Sequence, residues 1–350
     1  MKIQYLGTAA AERIPAMFCA CDTCKRAMKA GGRNIMTRAQ MLINDDLLID
    51  FSGDTHSNFL KIGKTLCDVE YLLITHAHDD HFTFEDFFSR FEGIAYNLKA
   101  ERLKVYLSDV SYDIMDRCNK AREVDEKSLF ERFEFITVKP YTTFAVGDYT
   151  VTALPGRHAS ENEALLFLIE KDGKAVFYGN DTGYFSEEID DFLKDNGKTI
   201  DLLSLDCTKC DTEFNYYTHM SMSEGRRIAD RFIEKGLIKE GAHLYYTHFS
   251  HNAGLIYDEL FNETPNCGIC HCLHLYCGLQ RQYTGVHPQG EQSQRGKNHL
   301  QVIGRSCCKP CCNIYRFFTG TRTGEEISKD EDTEDGCRLG YAQIPCIRLM

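Results

Sequence analysis

The chain has 350 residues, 43% of them hydrophobic and 26% charged, which fits one large folded domain or two ordinary ones. Its formal net charge of −12 disfavours non-specific attraction to nucleic acid, because such binding rests on Lys and Arg neutralising phosphates. No apolar run reaches the ~18 residues that span a bilayer, and Met1 to Pro15 lacks the apolar core of a secretion signal, so a cytoplasmic protein without membrane contact is expected.

In chain order, Ile3 to Leu6 is a short β-like stretch. Ala39 to Asn44 and Asp46 to Phe51 read as a hairpin turning at Asp45-Asp46. Val69 to Thr75 is a continuous apolar run, the pattern of a strand covered on both faces. The spacing of Phe87, Phe88, Phe91 and Ile94 predicts a helix over Phe84 to Leu98, and Leu103 to Leu107 a strand. Thr143 to Leu154 and Ala164 to Tyr178 are β-rich, with turn signals at Gly147-Asp148 and Asp172-Gly173. Leu202 to Leu205 reads as a buried strand. Ser223 to Leu237 reads as an amphipathic helix capped by Ser221 or Ser223. His243 to Tyr246 and Gly254 to Phe261 supply a last strand and a last helix. Sheets flanked by helices follow, with His and Asp residues just after strand ends, where loops can converge on one site.

Periodicity stops near Pro265. Residues 266–350 hold 10 Lys/Arg and 8 Asp/Glu, a net of +2, which leaves −14 on residues 1–265. Of the 17 cysteines, ten lie in this tail. Cys267, Cys270 and Cys272 with His271 and His274 could form an appended zinc module. The reading favoured here is a segment without an evolved fold, disordered or translated from an altered frame. The expected organisation is therefore a domain over 1–265 and an atypical Cys-rich tail over 266–350.

His76, His78, Asp80 and His81 follow the apolar strand within six residues. Imidazole and carboxylate are the usual nitrogen and oxygen ligands of zinc, manganese or iron, and four on one tight loop can face two adjacent metals. The alternative is an exposed polar loop with incidental histidines. Cys19, Cys21 and Cys24 in the first long loop can wrap one zinc and leave its fourth position open; the alternative is three free thiols. Cys207 and Cys210 are read as free thiols.

The His-x-His-x-Asp-His run after an apolar strand resembles the signature of the metallo-β-lactamase superfamily. The resemblance spans about residues 1–262 and implies an α/β fold, an αβ/βα sandwich of two mixed sheets flanked by helices. It implies that His76, His78 and His158 hold one divalent metal (Zn or Mn, or Fe), that Asp80, His81 and His248 hold a second, and that Asp181 bridges them. Asp79 is expected to point away, and Asp50 to support the loop from behind the ligands. The cysteine loop narrows the resemblance to the PhnP-like phosphodiesterases, the 5-phosphoribosyl 1,2-cyclic phosphate phosphodiesterase group. There, a His three residues beyond the last active-site His completes the structural zinc; His251 stands at that position. The same resemblance makes Asp80 and His219 the catalytic candidates, His219 as proton donor to the leaving group, although it could equally be a helix-entry His without catalytic duty. It also implies a homodimer and a small phosphorylated substrate. The function expected is hydrolysis of a small, cyclic or linear phosphodiester by a water activated between two metals. An RNA-processing nuclease of the same superfamily is the alternative, against which the acidic domain argues, and a non-hydrolytic metal protein binding a cofactor-biosynthesis intermediate is the other.

Overall fold

The computed structural model describes residues 1–158, 164–210, 212, 217–263, 271–272 and 346–348. In the first half, β1 (Lys2–Gly7), β2 (Gln40–Ile43), β3 (Leu47–Ile49), β4 (Tyr71–Leu73), β5 (Leu103–Leu107) and β6 (Phe133–Thr137) alternate with α1 (Asp22–Ala30), α2 (Thr55–Lys61), α3 (Asp109–Ala121) and α4 (Glu126–Arg132). The second half holds β7 (Thr142–Val146), β8 (Tyr149–Pro155), β9 (Leu165–Lys171), β10 (Lys174–Gly179), β11 (Ile200–Asp206) and β12 (Ile238–Thr247), with α5 (Glu187–Asp195), α6 (Met222–Glu234) and α7 (Tyr257–Glu263). Two short strands follow, β13 (His271–Cys272) and β14 (Cys346–Arg348). The strand orders are β14-β1-β2-β3-β4-β5-β6 and β13-β12-β11-β10-β9-β8-β7. Both sheets are mixed: β1 to β3 run antiparallel and β3 to β6 parallel, while β7 to β10 run antiparallel and β10 to β12 parallel. This is the expected sandwich.

Side-chain alternation assembles the layers. Leu47 and Ile49 of β3 join Phe167, Ile169 and Val176 in the core between the sheets, whereas Leu48 faces the other way with Phe59, Met115 and Phe133. On the second sheet Leu166, Leu168 and Phe177 pack outward against Leu193 of α5 and Ile228 and Phe232 of α6. Every layer is apolar, which is why the strands read as continuous hydrophobic runs.

Two expectations change. The helix predicted over 84–98 is a 3₁₀ turn, Phe84–Arg90. Phe84 and Phe87 enter the core, but Phe88 and Ile94 stay exposed and Gly93 takes a left-handed φ of 84°, so the apolar spacing never becomes one buried stripe. The tail, expected to be without a fold, contributes β14 antiparallel to β1 and β13 antiparallel to β12. The remainder of 266–350, including Cys267, Cys270, His274, Cys277 and Cys307 to Cys312, lies outside the described residues.

Candidate metal centre

Five strand ends deliver the site. β3 ends at Asp50, β4 runs into His76, β8 into His158, β10 into Asp181 and β12 into His248. Asp50, Asp181 and His248 all take left-handed backbone angles, φ 65°, 49° and 63°, rare for residues with a Cβ. Each such turn swings its side chain off the strand direction and inward.

Three overlapping ligand groups result, the third being Asp181, Asp206, His219 and His248. His76, His78, His158 and Asp181 bring donor atoms within 4.8 Å of one another, and so do Asp80, His81, Asp181 and His248. In the first, Nδ1 of His78 lies 3.0 Å from Nε2 of His76 and 3.2 Å from Nε2 of His158. In the second, Oδ2 of Asp181 stands 3.1 Å from Nε2 of His81 and 3.4 Å from Nε2 of His248, while Oδ2 of Asp80 is 3.2 Å from His81. Asp181 belongs to all three groups. Asp79 is solvent-exposed.

The donor set fits divalent cations. Nε2 of His81 and Nε2 of His248 are buried and make no hydrogen bond. Leaving such atoms unsatisfied costs about 1–3 kcal/mol each, and these sit together at one point, where cations would engage them. The protonation states of His76 and Asp181 suit this, whereas the carboxylates beside His81 and His248 raise those imidazoles against the effect of burial, so a bound cation would displace their protons. Burial holds the imidazole of His76 well below its usual value, hence neutral and able to coordinate. Burial alone would raise the Asp181 carboxyl, but the histidines around it, His248 first, hold it well below the usual carboxylate range.

Groups behind the ligands orient them. Asp50, fully buried, accepts from the Thr75 amide (2.8 Å), the Thr75 hydroxyl (2.9 Å) and Nδ1 of His81 (2.7 Å), which turns Nε2 of His81 toward Asp80 and Asp181. Asp206, at the end of β11, plays the matching part for His248. It accepts from the Thr208 hydroxyl at 2.8 Å, and that hydroxyl meets Nδ1 of His248 at 2.8 Å. Asp206 and Thr208 escaped the sequence reading, because neither falls in the family pattern that marked Asp181 and neither lies in a local cluster of donors. His219 lies 3.0 Å from Oδ1 of Asp181 and 3.4 Å from Oδ2 of Asp206 through Nδ1. Burial would lower its imidazole, but hydrogen bonds to these two carboxylates lift it to about 10. Gly183 admits this loop: a Cβ there would stand 1.9 Å from the Tyr217 carbonyl oxygen.

A separate group joins Cys19, Cys21, Cys24 and His251, again within 4.8 Å. Nδ1 of His251 is 3.7 Å from Sγ of Cys19 and 3.5 Å from Sγ of Cys21. Cys21 caps α1, and the Cys24 amide and His251 lower its thiol to about 6, whereas burial pushes the Cys24 thiol up to about 12. Glu12, 3.9 Å from Nε2 of His251, stands behind that ring. One five-residue turn therefore carries both His248 and His251. Between them the Phe249 amide donates to Thr8 O, and the Ala10 amide donates to Phe249 O, each at 2.9 Å. Cys207 and Cys210 are buried and not joined in a disulfide, and the Cys210 thiol donates to Cys207 O at 3.6 Å.

Comparison with known proteins places this arrangement. A model of the β-lactamase superfamily domain matches residues 46–249. Among solved structures, a diphosphatase from the PhnP family is 18% identical, covering 79% of this chain and 98% of its own, with a TM-score of 0.59. Zn(2+)-bound PqqB from Methylobacterium extorquens is 18% identical, covering 78% and 98%, with a TM-score of 0.56. The short form of human tRNase Z is 16% identical, covering 73% and 94%, with a TM-score of 0.50. The comparison with curated proteins finds no match. With its family model spanning more than half of the sequence, over a fold these structures share, the chain belongs to the β-lactamase superfamily.

Proposed function

We propose that this chain is a metal-dependent hydrolase that cleaves small phosphodiesters at a dinuclear site. The observation that carries the reading is the pair of complete His/Asp groups sharing Asp181. In this reading His76, His78 and His158 hold one divalent metal, Asp80, His81 and His248 hold the other, and Asp181 spans both. Bound there, two cations supply positive charge to phosphoryl oxygens and ease deprotonation of a water. The residues do the rest. Asp50 and the Asp206–Thr208 pair keep the correct tautomers on His81 and His248. His219, 3.0 Å from Asp181 and 3.4 Å from Asp206, is placed to give a proton to the departing alkoxide. Cys19, Cys21, Cys24 and His251 hold a zinc that fixes the turn carrying His248. The PhnP-family diphosphatase and tRNase Z both act on phosphate linkages by name, which supports the substrate class; the −14 on residues 1–265 favours a small substrate over RNA.

Metal analysis and a substrate panel test this together. About three metals per chain are expected from the clusters, one of them resisting mild chelation. The protein should hydrolyse bis(p-nitrophenyl) phosphate, and Asp80→Ala or His248→Ala should abolish this. Full metal occupancy without hydrolysis of any diester would refute the reading, as would cleavage of structured RNA far exceeding that of small diesters.

A further inference from the structure

Cys21-Asp22-Thr23-Cys24 opens α1, and its two thiols differ in access. Cys21 is exposed at the N-cap, whereas Cys24, in the first helical turn, is 2% exposed. Sγ of Cys21 accepts from the Cys24 amide at 3.5 Å, and the two sulfurs lie within 4.8 Å of each other. Cα atoms three residues apart on a helix stand about 5 Å from one another, inside the span that a disulfide bridges. A bridge can therefore close here with α1 kept.

The chain repeats this spacing once, in opposite surroundings. Cys207 and Cys210 are 0% and 2% exposed, so an oxidant in solution reaches neither. Only the Cys21–Cys24 pair sets an accessible sulfur beside a buried partner. The pair also belongs to the group with Cys19 and His251. Joining Cys21 to Cys24 would leave two donors of four, too few for a structural zinc. His251 would then lose its anchor, and it shares the Thr247–His251 turn with His248.

We propose that Cys21 and Cys24 are a peroxide-sensitive pair, whose oxidation to a disulfide expels the zinc of the cysteine group and slackens the turn that carries His248. The proposal rests on the zinc reading of that group. The oxidant is a small peroxide. The Cys21 sulfur attacks one peroxide oxygen, the O–O bond breaks, and Cys21 becomes a sulfenic acid as the first water leaves. The Cys24 sulfur attacks the Cys21 sulfur, the S–O bond breaks, and a second water leaves. For hydrogen peroxide the sum is one peroxide, two thiolates released from zinc and two protons from solvent, giving one disulfide and two waters. The thiolates lose the two electrons that the peroxide gains.

Hydrogen peroxide added to the full, metal-loaded chain tests this. A colorimetric chelator follows zinc release, and alkylation with peptide mass mapping identifies the cysteines that react. About one zinc per chain should leave as the Cys21–Cys24 disulfide forms, and Tm should fall. A dithiol reductant with added zinc should restore both, and Cys207 and Cys210 should stay reduced. In Cys24→Ser, which cannot complete the bridge, dimedone should label Cys21 as a sulfenic acid. Cys21 and Cys24 still reduced after Cys118, another exposed thiol, has reacted would overturn the proposal. So would zinc retained by a chain carrying the disulfide, or Cys207 and Cys210 reacting first. A chain that forms the disulfide but never held zinc at this group would refute the zinc reading and leave the reactive pair standing.

Discussion

Asp206→Asn isolates the support behind His248 without removing a proposed ligand. Asp206 is fully buried, and its two oxygens divide the work. Oδ1 accepts from the amides of Thr208 (3.0 Å) and Met220 (2.7 Å). Oδ2 accepts from the Thr208 hydroxyl at 2.8 Å and faces His219 at 3.4 Å. An Asn must keep its carbonyl toward the two fixed amides, so its NH₂ replaces Oδ2. There it meets the Thr208 hydroxyl donor to donor. The hydroxyl turns round and donates to Nδ1 of His248, which moves the ring proton to Nε2, the atom that would coordinate. One charge-assisted bond is worth about 1.5–3 kcal/mol, and loss of a partner behind a metal ligand typically costs about 10- to 100-fold in metal affinity or activity. His219 also loses one of the two carboxylates that raise it, so less of it is protonated near neutrality. Chelator competition should show weaker binding of one metal, and kcat on an aryl phosphodiester should fall by the same range. A folded Asp206→Asn protein with metal affinity and kcat within about twofold of wild type would refute this account of the centre.

Four further outcomes follow from the same structure. Cys24→Ser should lose about one metal per chain and lower both Tm and activity, because His251 and His248 share a turn; full activity in the zinc-depleted variant would break that link. Gly183→Ala should displace the 217–219 loop and lower kcat more than stability, read from kinetics beside thermal melts; an unchanged kcat would mean that His219 has no role. Asp54 bonds Arg13 at 2.8 Å, and although burial would raise its carboxyl, the hydrogen bonds from Arg13 and the Arg38 amide bring it below 3.8. Its contribution to stability is therefore complete above that value and is lost as pH falls through the lowered one, so Asp54→Asn should destabilise at neutral pH and flatten the acid limb of a Tm–pH curve. A chain ending at Pro265 keeps every proposed ligand and, among the described residues, gives up only β13 and β14, so its metal content and kcat should match the full chain; metal loss would show that the edge strands matter.

The legible part of the site was the part in which donors cluster locally. His76 to His81 and Cys19 to Cys24 announce themselves because several ligands fall within one loop. His158, Asp181, His248 and His251 were single residues that became meaningful only through the family pattern. Asp206 and Glu12 have neither signal: each acts through a neighbour, Thr208 or His251, that only the fold brings near. Strands buried on both faces were readable as apolar runs. Strand β6 was not, because only Phe133 of its five residues is fully buried and its pattern dissolves into α4. The run at Phe84 to Leu98 failed for a related reason: spacing reports a stripe, not whether a partner surface exists along all of it.

The Thr247–His251 turn has a consequence for how the protein is made. The dinuclear groups include His248, and the cysteine group is closed by His251, so no nascent chain shorter than 251 residues can complete all of these clusters. The turn is then fastened to Thr8 and Ala10, at the opposite end of the domain. Under the proposed metal-binding reading, loading is timed to the end of synthesis of this domain, when its first and last segments meet, and a ribosome-stalled or truncated product carries cysteines and histidines that cannot yet close around an ion.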